Sequence, residues 1–209
     1  PLSALFQCRD IADLASLLRG SRRLDDGCLL TLQAEGEESP LYCVHGISGE
    51  VMNLVALAEA LRDSNRPFVA IQARGVQPGE MPEHELSAMV ADYVQEIRLQ
   101  QPCGPYYLSG HSVGGVIAWE MAKQLQQAGE EVALLVVIDA PSPTFINKQQ
   151  KRFAFSQVVG QAKMPLIDGV HMTAVMEANG RLFETQCLKG TLDANLYCLN
   201  ASEQPFEHS

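Results

Sequence analysis

Short apolar runs alternate along this chain with longer stretches in which apolar residues recur every three or four positions. The runs are Leu41–Val44, Phe68–Ile71, residues 106–109, Val132–Ile138 and Asn195–Leu199, each bounded by Gly, Pro, Asn or Asp. Runs this continuous read as strands buried on both faces. Between them, residues 51–62, 85–100 and 113–127 carry apolar side chains at helical spacing, as in Leu86, Met89, Val90, Tyr93, Val94 and Ile97. That spacing predicts amphipathic helices. Strands alternating with helices imply right-handed crossovers and a mainly parallel sheet covered on both faces, an α/β fold. Residues 28–32, set ahead of Gly36 and Pro40, read as an antiparallel edge strand.

Composition narrows the function classes. A chain of 209 residues suffices for one main domain with a sizeable buried core. With 25 acidic and 15 basic residues the formal net charge is −10, and no cluster of Lys and Arg could neutralise a phosphate backbone, so nucleic acid is excluded as a partner. The longest apolar runs fall far short of the roughly 20 residues of a membrane-spanning helix, so no membrane partner is expected either. The sequence does not open with a basic segment, apolar core and small-residue cleavage site, and no secretory signal is expected. Six cysteines lie far apart, with no CxxC pair and no histidine at ligand spacing. They argue against both a metal site and a disulfide framework, and a reducing cytoplasmic setting is expected.

The candidate chemistry centres on Gly110-His-Ser-Val-Gly114. A strand precedes it and a helix follows at once, which makes G-x-S-x-G the nucleophile elbow of an α/β-hydrolase. The turn lifts the Ser112 hydroxyl above the sheet in a strained conformation, and side chains two positions before or after it would clash, hence the glycines. The Val113 N–H, at the helix N-terminus, is positioned to stabilise an oxyanion. The bland alternative is a glycine-rich turn that only packs closely.

A nucleophilic serine needs a base, and the base an orienting carboxylate, in the chain order Ser, Asp or Glu, His. Asp139, at the end of the next strand, fits the second place, the alternative being a turn cap ahead of Pro141. The second oxyanion donor is expected from the loop after an earlier central strand, His45-Gly-Ile-Ser-Gly49, and Ile47 N–H is the candidate. His45 itself reads as structural, hydrogen-bonded in that loop. Only His171 and His208 follow Asp139. His208 follows the last strand, as the base should, but after only a short tail. Either it is the base or the true histidine lies outside the sequence. His171 falls in the segment between the last two strands, and His84 reads as lying on an exposed loop.

Several segments together carry a family resemblance: Pro40-Leu-Tyr-Cys-Val-His-Gly46, Val69-Ala-Ile-Gln-Ala-Arg-Gly75, the stretch from Ala91 through Arg98 to Gly104-Pro-Tyr106, and Gly110-His-Ser-Val-Gly-Gly115. They resemble the thioesterase domains that terminate nonribosomal peptide and polyketide synthases, over roughly residues 28–143. The resemblance implies an α/β-hydrolase fold with a helical lid at about 142–189. It also implies release of an acyl or peptidyl chain, by hydrolysis or macrocyclisation, through an acyl-enzyme on Ser112. The catalytic set is then Ser112, Asp139 and His208, with Ile47 and Val113 at the oxyanion. No cofactor is expected in the domain itself, because the substrate arrives on the 4'-phosphopantetheine of an upstream carrier domain.

Residues 1–20 resemble the end of such an acyl or peptidyl carrier domain. Asp10 would cap a final helix whose apolar stripe is Ile11, Leu14, Leu17 and Leu18, and 21–27 read as a linker to the thioesterase domain at 28–209. The alternative is an ordinary amphipathic helix packed on the core. The expected partner is therefore the carrier domain of a multidomain synthase. Two other classes remain, a free-standing lipase or esterase and a non-catalytic hydrolase-fold binding module. The apolar residues between 145 and 183 read as a lid or as plain core helices.

Overall fold

A computed structural model of the chain describes residues 8, 10–19, 27–77, 79–140, 174–179 and 191–199. Six strands, β1 (Leu29–Gln33), β2 (Leu41–Val44), β3 (Phe68–Ile71), β4 (Tyr106–His111), β5 (Val132–Ile138) and β6 (Asn195–Leu199), form one sheet in the order β1-β3-β2-β4-β5-β6. Among the described residues only the β1–β3 pair is antiparallel. The expected edge strand is thus present, displaced by one residue. Four α-helices are named in chain order: α1 (Ile11–Leu18), α2 (Val55–Ala60), α3 (Leu86–Gln100) and α4 (Val113–Gln127). A further short helix covers 174–179.

Strand periodicity sorts the core into two layers. Tyr42, Val44, Val69, Ile71, Tyr106 and Leu108 turn to the face covered by α3 and α4, where they meet Met89, Tyr93, Ile97, Ile117, Met121 and Leu125. Cys43, Phe68 and Ala70 turn to the other face, against Leu54 and Ala58 at α2. The helix expected over 51–62 is broken. A 3-10 turn over Met52–Leu54 precedes α2 and another over Arg62–Ser64 follows it. No side chain caps the first turn, and Asn65, at φ 57°, ends the second in the left-handed conformation.

The expectation that β6 is buried does not hold. All five of its residues are exposed, Tyr197 to 57%. Among the described residues the strand lies at the sheet margin and pairs with β5 alone, and the described helices cover the middle of the sheet. α1 is also peripheral. Asp10 caps it, accepting from the Asp13 N–H at 2.8 Å, but Ile11 and Leu18 are 85% and 80% exposed. Among the described residues no helix is long and apolar enough to cross a membrane.

From β2 the chain steps to β3 on one side, then crosses back over β2 to β4 on the other. The order therefore reverses between β2 and β4. In open α/β sheets the crevice outside the carboxyl ends of such strands is where ligands sit.

Candidate active site

Both candidate elements of the site lie at that reversal. β4 runs into α4 through Ser112, whose φ of 55° and ψ of −121° lie outside the regions L-residues ordinarily adopt. The Ser112 N–H donates to the Ile138 carbonyl at 2.8 Å, so the last ladder bond of β4 reaches into the turn. A Cβ on Gly110 would collide with the carbonyl of Gly114, and one on Gly114 with those of His45 and, at 2.6 Å, Val44. Gly115 leaves the same kind of room: a Cβ there would stand 2.8 Å from both the Ala140 Cβ and Val137 Cγ1. The glycines are needed because the helix start is pressed against both its own strand and the end of β2.

The loop after β2 is held from several directions. Its entry is fixed by the His45 N–H on the Ile71 carbonyl at 3.1 Å, and its exit by the Ala73 N–H on the Gly49 carbonyl at 3.0 Å. Between them the Gly49 N–H closes a tight turn on the Gly46 carbonyl at 3.0 Å. His45 is fully buried. Its Nδ1 lies 2.6 Å from the Gly46 carbonyl oxygen and its Nε2 2.8 Å from the Tyr93 hydroxyl. A carbonyl cannot donate, so Nδ1 carries the proton, and Nε2 accepts from Tyr93. The two rings meet edge to face, with centroids 5.8 Å apart. Burial pushes the His45 pKa down to about 4 and that of Tyr93 up, so both groups are neutral at pH 7. His45 thus belongs to the frame of the loop, as the sequence suggested.

The Gly46 carbonyl that His45 and Gly49 hold belongs to the same peptide as the Ile47 N–H. Gly114 abuts the carbonyls of Val44 and His45, and Ile47 packs against the core cluster that contains Val113. The two candidate oxyanion donors therefore come from adjoining backbone, one at the start of α4, where helix geometry offers the N–H no acceptor. Glu50, at the far end of the loop, is buried, and burial raises its carboxyl pKa.

Asp139 follows the last residue of β5, just as Ser112 follows the last residue of β4, and the register pairs His111 with Ile138. The two side chains thus leave neighbouring strands at one edge. Asp139 also has a positive φ, 48°, and its N–H donates to the Leu199 carbonyl at 2.6 Å. β6 ends at this same edge, Ile138 opposite Leu199. His208 and His171 lie outside the described residues. His84 is exposed, its N–H donating to Glu83 Oε1.

Three neighbours of the site were not anticipated. Tyr93 is part of an apolar stripe in the sequence, yet its hydroxyl reaches His45. His111, beside the serine, has a buried Nδ1 with no hydrogen-bond partner among the described residues and lies 3.1 Å from where a Gly46 Cβ would be. Asn179 donates from Nδ2 to the Ile47 carbonyl at 3.0 Å.

With this geometry in place, the chain can be set beside known proteins. Residues 39–193 match the family described as the thioesterase domain. The chain belongs to that family. It is therefore a hydrolase by kinship, and its sheet is that of an α/β-hydrolase. The chain is 42% identical over 143 residues to indigoidine synthase of Dickeya dadantii (strain 3937), a match that covers 68% of this chain and 10% of that protein. It is 41% identical over 137 residues to a dimodular nonribosomal peptide synthase of Bacillus subtilis (strain 168), covering 65% of this chain and 6% of the other. The thioesterase domain thus matches a tenth or less of either relative's length. Among solved structures, the NocB thioesterase domain in covalent complex with a fluorophosphonate nocardicin G analogue superposes with a TM-score of 0.69 at 26% identity, over 80% of this chain and 76% of that one. The surfactin-cyclising domain SrfTE shares the fold, with a TM-score of 0.60 at 18% identity over 79% and 68% of the two chains.

Proposed function

We propose that this thioesterase domain releases an acyl or peptidyl chain from the phosphopantetheine arm of a carrier domain, through an acyl-enzyme on Ser112. The observation that carries the reading is the Ser112 elbow. Its serine sits at positive φ at the N-terminus of α4, against a loop whose Gly46–Ile47 peptide is clamped by a buried histidine.

In the proposed cycle the base takes the Ser112 hydroxyl proton as Oγ attacks the thioester carbonyl. The oxyanion is received by the N–H groups of Val113 and Ile47. The C–S bond breaks and the thiol leaves with the proton from the base. Water, or an amine or hydroxyl within the acyl chain, then attacks the ester, and the product departs as an acid or a ring. Asp139 is assigned as the carboxylate that orients the base, supported by its position one strand from Ser112. The base is assigned to His208, because β6 leads the chain to the same edge.

The partner would be the carrier domain of a multidomain synthase, with residues 1–20 as the end of that carrier and 21–27 as the linker. The named relatives, both far longer than the matched region, support this. So does α1, which exposes Ile11 and Leu18.

The test is intact-mass measurement after exposure to a fluorophosphonate probe and, separately, to a pantetheine thioester. The wild-type domain should gain one adduct and Ser112→Ala none; an adduct on the variant refutes the assignment. Faster turnover of a simple ester than of the carrier-loaded thioester would favour an esterase. In the same assay His208→Ala should lose acylation, and full acylation of that variant would move the base elsewhere.

A further inference from the structure

Tyr93 lies on α3, a helix that supplies no residue to the proposed triad, yet its hydroxyl is tied to the loop that bears Ile47. The tie runs through groups in series. The Tyr93 hydroxyl donates to His45 Nε2 at 2.8 Å, and His45 Nδ1–H donates to the Gly46 carbonyl at 2.6 Å. That carbonyl shares its peptide with the Ile47 N–H, and in a trans peptide the two point in opposite directions. Whatever aims the Gly46 carbonyl therefore aims the Ile47 N–H.

Two bonds aim that carbonyl, and they differ in what anchors them. The bond from the Gly49 N–H, at 3.0 Å, closes the turn from within and travels with the loop. The bond from His45 is anchored outside the loop, because the ring is braced against α3. Both side chains are fully buried, and their rings meet edge to face. A histidine ring can turn about two side-chain torsions. Turned off the Gly46 carbonyl, it would strand its own N–H and the Tyr93 hydroxyl in the core without partners, which disfavours the displaced ring by about tenfold or more. Burial keeps both groups neutral at pH 7, so the order of donors along the series is fixed. Hydrogen bonds in series also polarise one another, which strengthens the donor at the end.

We infer that Tyr93 is a positioning residue for acyl transfer: through its hydroxyl bond to His45, it holds the Gly46–Ile47 peptide at the angle that presents the Ile47 N–H to the acyl oxyanion. This rests on the proposed role of that N–H. It makes α3, on the far side of β2 from the turn, a determinant of acylation rate as well as a wall of the core. Complete loss of one oxyanion donor lowers kcat by about a hundredfold to a thousandfold. Removing the brace leaves the donor in place but frees the ring that aims it, and kcat should fall by about tenfold. KM should stay within about twofold, because the interaction is made with the oxyanion rather than with the ground state.

A double-mutant cycle tests this with a pantetheine thioester and a fluorophosphonate. Tyr93→Phe removes the hydroxyl and leaves the ring in place. His45→Asn puts an amide N–H where Nδ1–H stood, able to serve the Gly46 carbonyl but too short to reach Tyr93. Tyr93→Phe alone should lose kcat and phosphonylation rate together while KM holds. Added to His45→Asn, it should lower kcat by less than about twofold, because the path through the ring is already cut. A folded Tyr93→Phe with wild-type kcat overturns the inference, as does a rise in KM without loss of kcat. So does an undiminished further loss on the His45→Asn background. Nitrogen-15 spectra of the histidine-labelled domain at neutral pH give a readout independent of turnover: His45 should carry its proton on Nδ1, and a proton on Nε2 instead overturns the inference. If His45→Asn fails to fold, Tyr93→Phe and the spectra carry the test. Failure of the wild-type domain to label at Ser112 overturns the function and this refinement with it, whereas a labelling wild type with an unaffected Tyr93→Phe overturns the refinement alone.

Discussion

Acid should weaken this fold through His45 in a way one substitution can isolate. The ring is fully buried, with its pKa pushed down to about 4 by burial, partly offset by the bond to the Gly46 carbonyl. In the unfolded chain the ring titrates near 6.5. Between these values the unfolded state binds a proton that the folded state refuses. Stability is therefore complete above about pH 6.5 and is lost as pH falls toward 4. The loss amounts to about 2 kcal/mol by pH 5 and about 3 kcal/mol by pH 4, from 1.36 kcal/mol per pKa unit. His45→Gln keeps an amide donor and acceptor in place of the ring but does not titrate. Urea unfolding of both proteins at pH 7.5, 6.0 and 5.0 gives the comparison. The variant should start less stable, because its hydrogen bonds to Gly46 and Tyr93 are less well aimed, and the gap should close by about 2 kcal/mol at pH 5. A gap constant to within about 0.5 kcal/mol across that range would refute the reasoning, because it would mean that the folded protein admits the proton freely.

Four further outcomes follow from other parts of the structure. Ser112→Gly should abolish activity yet unfold about 2–4 °C above Ser112→Ala in a thermal scan, because glycine relieves a positive φ that alanine keeps. Gly114→Ala, whose Cβ would meet the carbonyls of Val44 and His45, should cost more than about 3 kcal/mol in chemical denaturation and remove fluorophosphonate labelling. Arg74 bridges Asp92 and Glu96, each at 2.8 Å. Because the group is partly exposed, Arg74→Gln should lower stability by only about 1 kcal/mol, and high salt should shrink the difference. Cys28 is buried and its thiol pKa is raised by burial, whereas Cys103 is exposed. Maleimide should label Cys103 in the native protein and Cys28 only after denaturation.

The inner strands were legible because a strand buried on both faces must be apolar throughout. β2, β3 and β5 have the boundaries that their runs suggest. β4 runs two residues further, through Gly110 and His111, because its ladder continues until the elbow turns the chain. β6 misled for a related reason. Apolar character identified it as a strand but carried no information about whether it lay at the centre or the margin. The elbow could be read because its glycines record a steric demand within five consecutive residues. The clamps on the candidate oxyanion loop left no such record. His45 and Tyr93 are 48 positions apart, and Asn179 and Ile47 are 132 apart. An amide among apolar helix residues was the only trace of the second pair, and nothing local named its partner.

The strand order also divides the proposed machinery by how readily each part can open. β2 and β4 lie in the interior of the sheet with partners on both sides, so amide hydrogens beneath the oxyanion loop and the elbow should exchange only when the whole domain opens. The Asp139 backbone, by contrast, is tied to the Leu199 carbonyl at the end of exposed β6, which can fray at little cost. A brief detachment of that margin would leave Ser112 and its proposed oxyanion donors intact while releasing the tether of Asp139, the proposed orienting carboxylate. Catalytic competence should therefore flicker on the timescale of an edge strand, and outlast nothing but that strand's attachment, inside a core that stays closed.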